Sequence, residues 1–372
     1  MIRGRRPIKK SDDIILQQGD CMRLLEKLPE RHFDSVVTDT PYNTKLMNKS
    51  WDSNIAFRIS MWMKVLEVMK PGAFLLAFGG PRTYHRMACA AEDAGFFVHD
   101  SIVWVYASGM VKGKNLYKAT GLKKWKGWSS QIKPGHENIM LAQKPFKGSI
   151  ANNVIKWGVG GLNIDGCRIP SGGDYRKKCE SAVGLDSSRT KSVYGKWKGK
   201  RTNSFNSLGR MPSNVVLSHH EKCKENKCHK DCPIQELDRQ SGVTKSQGII
   251  NRWKDGAKPF GGGAGHEYET YNVRTPDVGG ASRFFYHPKA PQKERVVNGV
   301  RLDHPTIKPI GLLRWLVRLV TPPGGVVLDP FMGTGTTIIA AHKEGFQSVG
   351  MELEKEHYQD AIKKIKYWIR RK

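Results

Sequence analysis

Two short stretches carry residue types that could do chemistry together. Asp39-Thr40-Pro41-Tyr42 follows the run Ser35-Val36-Val37-Thr38. The Asp39 carboxylate and the Thr40 backbone carbonyl could each accept one hydrogen of a planar amine, orienting it and localising its lone pair. Pro41 stiffens the turn, and Tyr42 offers a flat ring for stacking. Much later, Asp329-Pro330-Phe331-Met332-Gly333-Thr334-Gly335-Thr336-Thr337 follows Gly325-Val326-Val327-Leu328. A glycine-rich turn between a strand and a helix lets backbone N–H groups approach a ligand at the positive end of the helix dipole. Gly333 and Gly335 keep that turn clear of side chains. No Gly-Lys-Ser/Thr follows, so it is not a P-loop. Glu352 lies one helix and one strand further on, where its carboxylate can accept from both hydroxyls of a ribose.

A third group could hold a metal. His219, His220, Cys223, Cys228, His229 and Cys232 fall within fourteen positions. Three thiolates and one imidazole complete a tetrahedral zinc site. The set His220, Cys223, Cys228 and Cys232 has the spacing of a compact knuckle, with three histidines competing for the fourth place. The expected role is structural, because metal binding supplies folding energy to a segment with little core.

The elements that must position these groups alternate between strand and helix. Strand candidates are 13–18, 33–38, 73–78, 96–106 and 138–143, with helices over 22–28, 56–69 and 83–95. After Pro309, Leu312, Trp315, Leu316 and Leu319 fall on one helical face. A strand leads into the glycine loop, a helix follows it, and Ser348-Val349-Gly350-Met351 forms the next strand, ending at Glu352. Strands alternating with helices predict an α/β fold with a mostly parallel sheet. Between about 150 and 290 the alternation fails, and Gly, Ser, Lys and Arg dominate. That stretch reads as an insertion.

Bulk properties bound the partners. The chain has 372 residues, with 62 Lys and Arg against 34 Asp and Glu, a formal charge of +28. Such an excess, interleaved with aromatics, favours a nucleic acid. Lys112 to Trp128 and Tyr194 to Arg201 are the basic, aromatic stretches best suited to phosphates. No apolar run approaches the ~20 residues that span a bilayer, and the basic N-terminus lacks the apolar segment of a secretory signal. Seven cysteines in a reducing cytosol imply no disulfides. A cytoplasmic monomer or homodimer is expected.

The two motifs resemble those of DNA amino-methyltransferases. Asp39 to Tyr42 looks like their catalytic tetrapeptide, and Asp329 to Thr337 like their S-adenosylmethionine loop. The catalytic motif comes first, which resembles the permuted, beta-type order. His304-Pro305-Thr306-Ile307-Lys308-Pro309 resembles a further motif lying against the methionine part of the cofactor. The resemblance implies a Rossmann-like class I methyltransferase sheet of seven strands, mostly parallel, with an inserted target recognition domain. The expected boundaries are 1–149 and 284–372 for the two catalytic parts and 150–283 for the insert. It implies catalytic roles for Asp39, Thr40, Pro41 and Tyr42. It implies cofactor contacts from Asp20, Thr306, Lys308, Asp329, Pro330, Phe331, Gly333, Gly335, Thr336 and Glu352, with Asp20 beside the adenine and Thr306 and Lys308 at the carboxylate. Double-stranded DNA is the implied substrate. Aspartate at the first tetrapeptide position leans toward adenine N6, with cytosine N4 as the alternative. A DNA-binding protein without catalysis, or an RNA methylase, also stays open. The family commonly has proline where Thr40 stands, so a less rigid loop is expected. Cytosine C5 chemistry needs a cysteine nucleophile, commonly presented as Pro-Cys, and no Pro-Cys dipeptide is present.

Overall fold

A computed structural model describes residues 13–43, 53–106, 109, 113–170, 208–220, 222–223, 227–245, 249–253, 268–272, 278–288, 294, 296–297, 300–301 and 307–370. Thr306 and the basic stretch Tyr194 to Arg201 lie outside them. The chain divides into two compact units.

The first unit comprises Met1–Cys167, Ser213–Gln235 and Tyr286–Lys372. Its main sheet has eight strands: β1 (Ile14–Gln18), β2 (Phe33–Asp39), β3 (Met69–Gly79), β4 (Phe97–Val105), β5 (His136–Gln143), β6 (Val215–Leu217), β7 (Val326–Asp329) and β8 (Gln347–Glu352). They lie in the order β1-β8-β7-β2-β3-β5-β4-β6. Only β5 runs antiparallel to its neighbours. The seven expected strands are therefore joined by an eighth. It comes from the stretch read as an insert, because Val215 to Leu217 pair in parallel with Val103 to Val105.

The helices are α1 (Cys21–Leu25), α2 (Ile59–Val68), α3 (Tyr84–Asp93), α4 (Leu116–Thr120), α5 (Ile150–Trp157), α6 (Pro233–Ser241), α7 (Ile310–Val320), α8 (Thr336–Lys343) and α9 (Lys355–Ile369). Residues of β2 and β3 are buried almost without interruption, as a strand covered on both faces requires. Alternate residues serve opposite faces. Val36, Leu75 and Ala77 pack with Met61, Trp62 and Val65 of α2 on one side. Val37, Leu76 and Phe78 pack with Leu312, Trp315 and Leu316 of α7 on the other. Apolar residues on both strand faces thus force the three-layer arrangement.

The second unit, Arg168–Pro212 and Glu236–Phe285, contains two short antiparallel pairs, Thr244–Lys245 with Val278–Gly279 and Ile249–Trp253 with Tyr268–Asn272. Within it the Asp238 carboxylate accepts from Ser282 N and Oγ at 2.8 and 2.7 Å. The stretch 150–283 is therefore split. Its pieces 150–167 and 213–235 belong to the first unit.

Candidate active site

Parallel strands deliver their carboxyl ends to one rim. Gln18 of β1 pairs with Glu352 of β8, Gly350 of β8 with Asp329 of β7, and Asp39 of β2 with Phe78 of β3. Asp20, Glu352, Asp329 and Asp39 thereby line one pocket, with Gly333 and Lys308. The join between the two motifs is direct. Thr38 Oγ1 donates to Asp329 Oδ1 at 2.6 Å, and Phe331 N donates to the same oxygen at 3.1 Å. Asp329 is 1% exposed, and burial pushes its carboxyl up to about 7. It braces the two strand ends.

The glycine loop is fixed from several sides. Gly335 has φ of +75°, and a Cβ there would lie 2.7 Å from Ile365, so neither conformation nor space admits a side chain. Thr334 and Thr336 accept from the fully buried Lys364 ammonium of α9, at 3.1 and 2.7 Å. Glu352 accepts from Gly333 N at 3.0 Å and Glu354 N at 2.9 Å. Burial raises its pKa. Asp20 caps α1, accepting from Met22 N at 2.9 Å, and also lines the pocket. Pro330 and Phe331 form part of the wall.

At the tetrapeptide the structure gathers four polar side chains. Lys308 Nζ lies 2.8 Å from Asp39 Oδ2, 3.1 Å from Glu137 Oε2 and 3.2 Å from the Tyr42 hydroxyl. The Tyr42 oxygen is 2.9 Å from both Asp39 Oδ1 and Glu137 Oε2, and its one proton can serve either acceptor. Burial raises the Asp39 carboxyl, the Lys308 ammonium opposes that rise, and Glu137 adds to it. Burial alone would lower Lys308, but the two carboxylates outweigh it and hold the amine protonated. Burial and the same carboxylates keep Tyr42 a phenol. The Asp39 side chain retains 26% exposure, which keeps it accessible from the pocket.

Two expectations need correction here. Lys308 was assigned to a cofactor carboxylate, whereas its ammonium turns to Asp39 and Glu137, the nearest anions. Thr40 was expected to loosen the loop. Instead its buried hydroxyl donates to Phe78 O at 2.8 Å and ties the turn to β3. Thr83 Oγ1 holds the Tyr42 carbonyl at 2.9 Å, and the Tyr42 ring lies against Gly80, where a Cβ would come within 3.0 Å. Thr40 and Pro41 line the pocket as well.

Glu137 is the residue that sequence reasoning passed over as a strand residue. Because β5 runs antiparallel, its first residues reach the rim where the other strands end, and Glu137 pairs with Trp104. Tyr106, just past β4, adds a hydroxyl 3.4 Å from Glu137 Oε1. Trp104, also a candidate for the pocket wall, is instead 8% exposed and packs in the core.

From the same rim, the segment between β4 and β5 projects a basic surface. Lys114, Lys118, Lys123, Lys124 and Lys126 are exposed there. Trp125 and Trp128 meet edge to face at 5.4 Å, with Trp128 59% exposed.

The metal-ligand set also differs from expectation. His219, not His220, joins Cys223, Cys228 and Cys232, their ligand atoms all lying within 4.8 Å of one another. The His220 ring stacks on His229 at 4.3 Å, and its Nδ1 accepts from Lys222 N. That engagement turns His220 away.

A family model described as DNA methylase matches residues 33–364. The type II methyltransferase M.XycI of Xanthomonas campestris pv. cyanopsidis is 23% identical over 363 residues, covering 95% of this chain and 90% of that protein. The type II methyltransferase M.ScaI of Streptomyces caespitosus is 35% identical over 65 residues, covering 18% of this chain. The chain spans only 21% of the length of M.ScaI and no more than 30% of three further curated relatives. Among solved structures, the cytosine-N4-specific PvuII DNA methyltransferase has 13% identity and a TM-score of 0.47, with 95% of this chain and 88% of that one covered. With the model match running from β2 into the last helix, the chain belongs to the N6/N4 DNA methylase family.

Proposed function

We propose that the protein transfers a methyl group from S-adenosylmethionine to the exocyclic amine of a base in duplex DNA, at adenine N6. The observation that carries this reading is the meeting of Asp39 and the Gly333 loop at adjacent strand ends, braced by the 2.6 Å bond from Thr38 to Asp329. The residues fit the cofactor. Glu352, 8% exposed, presents a carboxylate for ribose hydroxyls, Asp20 stands at the next strand's end, and the Gly333 to Gly335 turn leaves backbone room. When bound, S-adenosylmethionine supplies an electrophilic methyl carbon for in-line displacement.

The chain's own residues would do the rest. The exocyclic amine of a base is a poor nucleophile, since its lone pair is delocalised into the ring. Asp39 accepts one amine hydrogen and the Thr40 carbonyl the other, which holds the lone pair toward the methyl carbon. The Tyr42 ring stacks on a base swung out of the duplex. Lys308 keeps Asp39 in the acceptor form against the pull of burial, and Glu137 holds Lys308 and Tyr42 in place. The exposed lysines between β4 and β5 take DNA phosphates beside the opening. No described helix is long and apolar enough to cross a membrane, which accords with a cytoplasmic enzyme acting on DNA.

Incubation of the full chain with DNA and labelled S-adenosylmethionine tests the reading. N6-methyladenosine is expected in the nucleosides, while N4-methylcytidine would overturn the choice of base. Asp39→Ala is expected to abolish transfer while calorimetry still detects cofactor binding. Loss of that binding in the variant would count against a role for Asp39 on the amine.

A further inference from the structure

The end of β6 carries a second centre that the transfer chemistry does not use. His219 Nδ1 lies 3.5 Å from both Cys228 Sγ and Cys232 Sγ. Zinc–sulfur bonds of ~2.3 Å and a zinc–nitrogen bond of ~2.0–2.1 Å at a tetrahedral angle place nitrogen and sulfur about 3.5 Å apart. One ring nitrogen has a single proton or a single lone pair, so it cannot form good hydrogen bonds in both directions. It can occupy one corner of a tetrahedron whose edges run to both sulfurs. Backbone N–H groups also converge on the thiols. His229 N donates to Cys223 Sγ at 3.2 Å, and the N–H groups of His220, Ile234 and Gln235 bond to Cys232. Such donors favour thiolate, the form a metal binds.

The site is tied to the rim. Ser218, beside His219, accepts from Trp104 Nε1 at 2.7 Å and donates its N–H to Val105 O at 2.9 Å. Trp104 packs against Tyr106 with ring centres 4.8 Å apart and lies 5.9 Å from Lys308 Nζ. Three strand residues alone make a short edge, and a metal would lock where they end.

We propose that His219, Cys223, Cys228 and Cys232 bind one zinc ion, and that this ion holds β6 so that Trp104 and Tyr106 support the side of the pocket facing the base. The second half rests on the methyltransferase reading, whereas metal content does not, so the two can fail separately. Elemental analysis of the purified full chain is expected to find one zinc per chain. Protein grown with cobalt is expected to show the intense visible bands of tetrahedral cobalt with thiolate ligands. Folded wild type without stoichiometric zinc, or with the faint spectrum of six-coordinate cobalt, would overturn the site. His219→Ala should lose zinc and His220→Ala should keep it, and the reverse pattern overturns the ligand assignment. For the positioning role, His219→Ala should raise KM for DNA about tenfold with the Kd for S-adenosylmethionine unchanged. Equal weakening of both, or of neither, refutes it. Should His219→Ala not fold, chelation of the wild type reads the same two constants.

Discussion

Asp329→Asn probes the brace between the two motifs. Asp329 is 1% exposed, and burial raises its carboxyl to about 7 from an ordinary value of 3.8. A carboxyl whose folded pKa is raised stabilises the fold fully below the unfolded value. That contribution is lost as pH climbs through the folded value, so the window runs from about 4 to about 7. A shift of about 3 units at 1.36 kcal/mol each makes ionisation cost up to about 4 kcal/mol by pH 8. Asparagine keeps an oxygen for Thr38 Oγ1 and Phe331 N, and the Thr337 hydroxyl can turn to accept from its amide. The variant should therefore match wild type near pH 5 and exceed it by a few kcal/mol at pH 8. Urea unfolding of cofactor-free protein at the two pH values reads this directly. A stability difference that is the same at both, or a variant that loses ground as pH rises, refutes a neutral Asp329 in the fold.

Two further outcomes follow from the rim. Glu137→Ala frees the Tyr42 hydroxyl and one side of Lys308, and misplacement of that order costs about 10²-fold in kcat. Cofactor Kd should hold, and a kcat within threefold of wild type would show that Glu137 positions nothing. Replacing exposed Lys123, Lys124 and Lys126 by alanine should flatten the slope of log affinity for DNA against log salt by about 2–3, at ~0.9 per phosphate contact. An unchanged slope would move the phosphate track elsewhere.

How much of this was legible in the sequence depends on strand direction. Apolar runs such as Val36-Val37 and Val326-Val327 mark buried parallel strands, and parallel strands end on one side. The residues after them, Asp39 and Asp329, were therefore readable as neighbours from linear motifs alone, as was Glu352 after Val349 and Met351. Glu137 was not readable in this way. It precedes its apolar run, and only an antiparallel β5 brings a strand's beginning to the rim where others end. Nothing in the residues 138–143 announces that reversal. Lys308 was visible as a motif residue, yet its partner depends on which anion lies nearest, and one of those anions is Glu137. The histidine choice has the same origin. Spacing admits His219 or His220 equally, while adjacent residues leave a backbone in different directions, and stacking on His229 takes one of them out of the cluster. β6 escaped notice because three residues are too few for a period to show, and their pairing with β4 is set by contacts more than a hundred positions away. Linear motifs thus report what consecutive residues do together. The charge balance that makes Asp39 an acceptor comes from residues brought in by strand order and direction, and it has to be read from the fold.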